Sequence, residues 1–130
     1  MEDTFFTGGN SFNVGSAPIA GTDNDALYQS ERYGDLTYSI PVETGRTYEI
    51  VMHFAELYHT TPEQRIFDVV LEGVTVLKDL DLVAELGGSL VAKEYTFQQV
   101  ITDGSIDITI VSTKDFGKIN GLEVYMLPVV

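Results

Sequence analysis

The chain has 130 residues, the length of one ordinary domain with a single core, so a two-domain enzyme with an interdomain active site is not expected. Seven Tyr, seven Phe and a hydrophobic fraction of 44% are typical of a folded chain and argue against disorder. Twenty acidic residues against seven Lys and Arg give a formal charge of -13, which repels phosphate backbones and anionic lipid headgroups and predicts no nucleic-acid or membrane partner. The absence of Cys excludes disulfides and thiolate catalysis.

The first quarter of the chain lacks a periodic pattern. Residues 1–34 are rich in Gly, Ser, Thr, Asn and Asp, and we interpret them as a loop-rich opening segment of the same domain. The extreme N-terminus has neither a basic stretch nor an apolar stretch, so no signal peptide is predicted in this chain. Residues 35–130 are then expected to form the body of one domain.

The body opens with two predicted strands. Apolar and polar residues alternate over residues 36–40, where Pro41 limits the strand, and again over residues 47–57. In the second strand four side chains share one face: Tyr48, Ile50, Met52 and Phe54. A turn at residues 43–45 joins the strands, and we interpret the pair as a long hairpin.

The second half of the chain is also dominated by strand patterns. After a polar, Pro-bearing loop come strands, a short helix and turns, at these predicted positions: loop 58–64, strand 65–71, turn 72–73, strand 74–78, helical turns 79–86, strand 94–99, turn 102–104, strand 106–110 and strand 119–126. Many short strands without a long helix predict an all-β protein, an antiparallel β-sandwich.

Five segments resemble one known family in their order and spacing. They read ALYQSERYG at 26–34, HFAELY at 53–58, RIFDV with LEG at 65–73, VLKDLDL at 76–82, and Asp115 followed by KINGLEV at 118–124. Together they resemble the malectin domain over residues 5–126. The resemblance implies a jelly-roll-like β-sandwich that performs no chemistry, needs no cofactor and binds neutral, glucose-containing oligosaccharides of the glucan type.

The resemblance also implies a set of site residues. The family's Tyr after Glu-Arg is Tyr33 here, the aromatic pair after Phe-Ala-Glu is Tyr58 with His59, and the Asp before Lys-Ile is Asp115. Phe116 offers a further flat surface, and either Phe12 or Val14 stands near a family Tyr of the glycine-rich region. Aromatic faces suit the C–H patches of a pyranose, and a carboxylate accepts bonds from its hydroxyls.

The N-terminal region departs from the family pattern. A strand that usually opens the domain is not matched, which predicts a truncated or engineered form, or a vacant place filled by another segment or a partner chain. Since an unfilled sheet edge exposes unpaired backbone groups, we expect homodimerisation by edge-strand pairing. Related bacterial modules belong to larger secreted or surface proteins, so the resemblance implies an extracellular or cell-surface setting.

Several alternatives accompany this interpretation. A glycosidase needs two placed carboxylates, and the sequence singles out no such pair. Calcium could use the acids at 23–25 and 79–81, although neither has the register of a calcium-binding loop, and solvated acids explain them as well. A protein-binding or adhesion module is the main alternative function. Glu31 with Arg32 is interpreted as a structural ion pair, and His53 as a packed histidine.

Overall fold

A computed structural model describes residues 6–15, 18–23 and 25–128. Within them it contains nine strands and two short helices: β1 (Phe6–Asn13), α1 (Asp25–Tyr28), β2 (Ser30–Pro41), β3 (Arg46–Phe54), β4 (Ile66–Leu71), β5 (Val74–Leu80), α2 (Leu82–Leu86), β6 (Lys93–Ile101), β7 (Ser105–Lys114), β8 (Lys118–Ile119) and β9 (Gly121–Met126). No helix in this part of the chain is long and apolar enough to cross a membrane.

The strands form two sheets. The larger sheet has the order β1-β2-β7-β4-β5, with β8 also paired to β2, and the smaller sheet has the order β6-β3-β9. Every pairing between these strands is antiparallel. The predicted all-β antiparallel sandwich is therefore confirmed, and it forms a single domain.

The core lies between the two sheets and follows from the two-residue period of the strands. In β3 the four predicted side chains on one face are nearly or fully buried, and β7 contributes three isoleucines at alternate positions. These side chains belong to one apolar cluster, whose most completely buried members are Ile50, Met52, Phe54, Phe67, Val69, Ile101, Ile106, Ile108 and Ile110. Period-two burial on both inner faces is what a two-layer sandwich requires.

The opening segment contains more regular structure than expected. Residues 6–13 form β1, which pairs with β2 over its length, and β2 begins at Ser30 rather than at residue 36. The register shifts between Gly8 and Asn10, as at a β-bulge. Because Gly, Asn and Ser interrupt the alternation of β1, the strand is specified by its partner rather than by its own pattern.

The predicted hairpin between the first two body strands is wrong. β2 pairs with β1, β7 and β8 in the larger sheet, whereas β3 pairs with β6 and β9 in the smaller one. The turn before Arg46 therefore carries the chain from one sheet to the other. Local alternation shows that both segments are strands, but pairing depends on which distant strand completes each sheet.

The last predicted strand is divided into β8 and β9 at Asn120. The Asn120 side chain accepts a bond from Ala55 N (2.8 Å) and donates to the backbone oxygens of Tyr28 (2.9 Å) and Ser30 (3.1 Å). This buried amide joins three segments at the end of the sandwich. It lets the chain leave the larger sheet after β8 and enter the smaller sheet as β9.

Candidate functional site

A cavity of about 610 Å³ opens at one end of the sandwich. Its lining comes from β1, β2, the loop that follows β3 and the loop between β7 and β8, and consists of Phe12, Glu31, Tyr33, Tyr58, His59, Arg65, Asp115 and Phe116. All six residues named from the sequence are therefore brought together around one space. The volume is in the ordinary range for a small-ligand pocket.

Two aromatic pairs form walls of the cavity. Phe12 and Tyr58 meet edge to face with ring centroids 6.2 Å apart, and Tyr33 lies 6.1 Å from Phe116 at a tilted angle. Tyr58 is 67% exposed and Phe116 is 51% exposed, so both keep apolar surface in contact with solvent. Such surface is available to a ligand because no other part of the described chain covers it.

His59 and Asp115 form a hydrogen-bonded pair at the cavity. The imidazole Nε2 bonds to Asp115 Oδ2, and the His59 ring stands edge to face against Tyr58 with centroids 5.0 Å apart. Asp115 has a φ of 55°, in the left-handed region that Asp tolerates better than most residues. The turn thus presents the carboxylate, while His59 occupies one of its two oxygens.

A buried ion pair lies beneath the aromatic walls. Lys118 is fully buried, and its Nζ lies 2.7 Å from Glu31 Oε1 and donates to the backbone oxygen of Ala55. The contact with Glu31 has the distance of an ion pair without the alignment of a good hydrogen bond, so charge holds it. Burial lowers the pKa of the Lys118 ammonium, against the opposing effect of Glu31 and Glu56.

A second buried ion pair joins Arg65 to Glu56. Arg65 Nε donates to Glu56 Oε1 at 2.7 Å, and the side chains are 6% and 1% exposed. Both residues lie in segments that resemble the family, but the sequence alone assigns neither a role and does not identify Glu31 as a lining residue. The available signal was a set of charged residues inside otherwise apolar strand patterns, as in FAEL and GKIN, since such charges are rarely buried without a partner.

Comparison with known proteins decides the family. The sequence model of the malectin domain matches residues 2–129, which is nearly the whole chain. The chain belongs to the malectin domain family. Human malectin is 41% identical over 69 residues, which cover 52% of this chain and 24% of malectin. Receptor-like protein 4 of Arabidopsis thaliana is 34% identical over 110 residues, 81% of this chain and 17% of that protein.

Solved structures show the same fold at low identity. The ANX2 ectodomain of Arabidopsis thaliana superposes with a TM-score of 0.83 at 15% identity, over 96% of this chain and 42% of that chain. A plant receptor-like kinase, FER, superposes with a TM-score of 0.84 at 17% identity, over 96% and 42%. This malectin domain therefore spans about a quarter or less of the curated relatives quoted and about two fifths of these structures.

In the malectin domain, Glu31 has a partner that the sequence does not predict. The sequence favoured an ion pair with Arg32; the structure shows that the Glu31 carboxylate pairs with Lys118 and lines the cavity. The partner is 87 positions away along the chain and reaches Glu31 because β8 pairs with β2, a contact that local sequence does not reveal.

His53 is packed and hydrogen-bonded, as its strand position suggested. Its Nδ1 lies 2.7 Å from the Tyr28 hydroxyl and its Nε2 lies 2.8 Å from Glu123 Oε2. Burial, with the nearby Glu94 and Glu123 carboxylates, raises the pKa of Tyr28 to about 12. The hydrogen bond from His53 lowers the pKa of Glu123. These groups lie outside the cavity lining.

In the acidic stretch 79–81, both aspartates take part in hydrogen bonds within the fold. Asp81 caps α2 by accepting from Ala84 N, and it also accepts from Glu63 N at 2.6 Å. The backbone N–H of Asp79 donates to Asp68 at 2.8 Å. In the stretch 23–25, residue 24 lies outside the described residues.

The described part of the chain contains one group of three carboxylates close enough to share an ion. Glu72, Asp103 and Asp107 each offer an oxygen within 4.8 Å of the others. Glu72 accepts from Asp107 N at 2.6 Å, and burial raises its pKa. Glu72 and Asp103 lie in turns and Asp107 lies near the start of β7, at the other end of β7 from the cavity. Close approaches between carboxylates are expected on a chain with a formal charge of -13, so this group alone does not indicate a metal site.

Proposed function

We propose that the cavity is a non-catalytic binding site for neutral, glucose-containing oligosaccharides. The observation that carries this proposal is the convergence of four aromatic side chains and Asp115 around one open cavity, from segments far apart in the sequence. A pyranose combines C–H patches with a rim of hydroxyls, and this lining offers a complement to both. Human malectin, to which the chain is similar, supplies the family context.

The aromatic walls suit a site that binds one or two sugar units. Tyr loses little side-chain entropy when it is ordered, and its hydroxyl adds a polar contact at the edge of the ring. Exposed rings such as Tyr58 and Phe116 can stack on a ligand without first leaving a packed core. Few contacts offset by association costs predict an affinity in the micromolar to millimolar range.

The polar groups favour binding over hydrolysis. Asp115 is held by His59, and Glu31 is held by Lys118, so each carboxylate lining the cavity already has a hydrogen-bonding or cationic partner. A carboxylate in such a pair is well placed to accept hydroxyl hydrogen bonds. A glycosidase would instead need one carboxyl group poised to donate a proton, and nothing in the geometry assigns that task.

A protein-binding role is the second candidate. It is favoured by the strong exposure of Tyr58 and Phe116, because Tyr and Phe are enriched at the centres of protein interfaces. A plant structure with a TM-score of 0.81 to this chain, at 18% identity over 94% of this chain and 40% of that one, contains the peptide RALF23 with FER and LLG2. Under this proposal the same rings would contact a peptide.

A glycan array separates these candidates. The sugar proposal predicts that the wild-type protein binds glucans and that Tyr58→Ala and Asp115→Asn each abolish the signal without changing the melting temperature, since Asn tolerates the positive φ of position 115 as Asp does. Val74→Ala is a matched control, since Val74 is equally exposed but belongs to β5 and does not line the cavity. Silence of the wild type on every glucan would contradict the sugar proposal and favour the peptide.

Self-association through a sheet edge is a further part of the proposal. β1 and β5 are the end strands of the larger sheet, and an end strand offers unpaired backbone groups to a second copy. We expect a homodimer in sedimentation at high micromolar concentration. A strict monomer under those conditions would contradict this expectation and would leave the binding site unaffected.

A further inference from the structure

One buried ion pair contacts both loops that carry the exposed rings of the cavity. Arg65 directly precedes β4 and Glu56 follows β3, and their charged groups meet at 2.7 Å at the cavity, which Arg65 lines. Both charged residues lie in the loop between β3 and β4, in which Tyr58 follows Glu56 by two residues, and the loop with Phe116 joins β7 to β8. The first loop leads from the smaller sheet into β4 of the larger sheet, whereas the second lies within the larger sheet. Pairing of Ile66 with Lys114 holds the end of the first loop near the second, but Tyr58 lies eight residues before Ile66 and outside that pairing.

Each member of the ion pair bonds to the backbone of one loop. Glu56 Oε2 accepts from the backbone N–H of Tyr58 at 3.1 Å, while its Oε1 is bound to Arg65. Arg65 uses its Nε for Glu56 and a terminal nitrogen for the backbone oxygen of Phe116. A continuous path of three hydrogen bonds therefore runs from Tyr58 to Phe116.

We propose that Arg65 and Glu56 are positioning residues that set the separation of the Tyr58 and Phe116 loops before ligand binds. This inference rests on the proposed function for its binding consequences, but the loop order it describes exists without ligand. Arg suits the task because its guanidinium offers several donors in a fixed plane, so one side chain can bond to two acceptors at once. Lys has a single ammonium on a flexible chain.

Stability alone does not explain this arrangement. A buried ion pair is commonly no more stabilising than well-packed apolar residues of similar volume, whereas removal of one partner leaves an unpaired buried charge. The pair does, however, fix two backbone groups that apolar side chains could not hold. Replacing both residues by apolar ones therefore removes the contacts to the loops without leaving an unpaired buried charge. An effect on loop position can then be measured apart from an effect on stability.

The main test compares the wild type with a double variant that carries both Arg65→Met and Glu56→Leu. We expect the double variant to stay folded and to unfold cooperatively. It should bind a glucan that was identified on the glycan array about tenfold more weakly, because two loop side chains must then be ordered on binding. Arg65→Lys is the second variant, because it keeps the charge but loses the two-acceptor geometry. Lys78→Met, which removes a pair with Asp68 away from the cavity lining, is the control.

A second readout does not depend on a ligand. Amide hydrogen exchange followed by NMR should show the Tyr58 amide losing protection in both Arg65 variants, with the amides of β3 unchanged. Unchanged protection of Tyr58, or wild-type affinity in a folded double variant, would overturn the proposal. If the wild type binds no oligosaccharide, the proposed function fails, and the exchange measurement still decides whether the pair positions the loop.

Discussion

The site loop between β7 and β8 depends on a glycine, and Gly117→Ala is the most informative single change. A Cβ on Gly117 would lie 2.4 Å from Ile110 Cγ2 and 2.9 Å from Phe67 Cβ. Ordinary carbon contacts are about 3.5–4.0 Å, so the loop must move by about 1 Å or more. Ile110 and Phe67 are both fully buried in a close-packed core and cannot yield easily.

The movement has two consequences. Gly117 N donates to Ser112 Oγ at 2.8 Å and its oxygen accepts from Gly34 N at 2.8 Å, so a shift strains the backbone on both sides. We expect a loss of about 1–3 kcal/mol in the free energy of unfolding, the usual cost of overpacking. Because Asp115 and Phe116 precede this glycine, their displacement would weaken a charge-assisted bond to ligand, and affinity should fall about tenfold or more.

Urea denaturation and calorimetric titration with a glucan measure the two effects. Gly88→Ala is the matched control, because a Cβ there meets nothing within 4 Å and its φ is not positive. A Gly117→Ala variant with the unfolding free energy and the ligand affinity of the wild type would refute the predicted steric clash. Equal losses in both variants would also refute it, since they would show a general effect of adding a methyl group.

The further predictions concern the charged groups. Lys118→Met leaves Glu31 unpaired in the interior and should cost about 3–5 kcal/mol of unfolding free energy, measured by urea denaturation; a loss below 1 kcal/mol would contradict the buried pair. Asp81→Ala removes the cap of α2 and should cost about 1 kcal/mol of unfolding free energy by the same measurement. In the wild type, EDTA should leave the melting temperature unchanged. The Glu123 carboxyl should titrate below 4.5 by NMR because of its bond from His53; its contribution to stability is full above that pH and is lost as pH falls through the lowered pKa, and an unshifted titration would refute this.

The strands that alternate strictly could be predicted from the sequence. Tyr48, Ile50, Met52 and Phe54 have the period of a half-buried strand, and the structure buries all four. The Glu72-Gly73 turn and the end of α2 at Gly87 were also predicted, and Glu72, Gly73 and Gly87 have the positive φ values that such turns need. These features depend on neighbouring residues, which is why local reasoning found them.

Features that depend on distant residues could not be read in this way. β1 has an irregular pattern and exists through its pairing with β2, and the assignment of β2 and β3 to different sheets depends on β7 and β6. The Glu31–Lys118 pair likewise joins positions 87 apart. The site residues were named through family resemblance, and the residues beneath them are identified only by three-dimensional contacts.

We propose that an oligosaccharide binds in the cavity lined by Tyr33, Tyr58, Asp115 and Phe116. A ¹⁵N NMR titration with maltose and cellobiose tests it most directly, because chemical shifts report which residues a ligand contacts. Binding in the cavity should give saturable shifts at the amides of these residues and of His59 and Arg65, with β5 and the β6–β7 turn unchanged. Saturable shifts confined to another surface, or none at millimolar sugar, would contradict it.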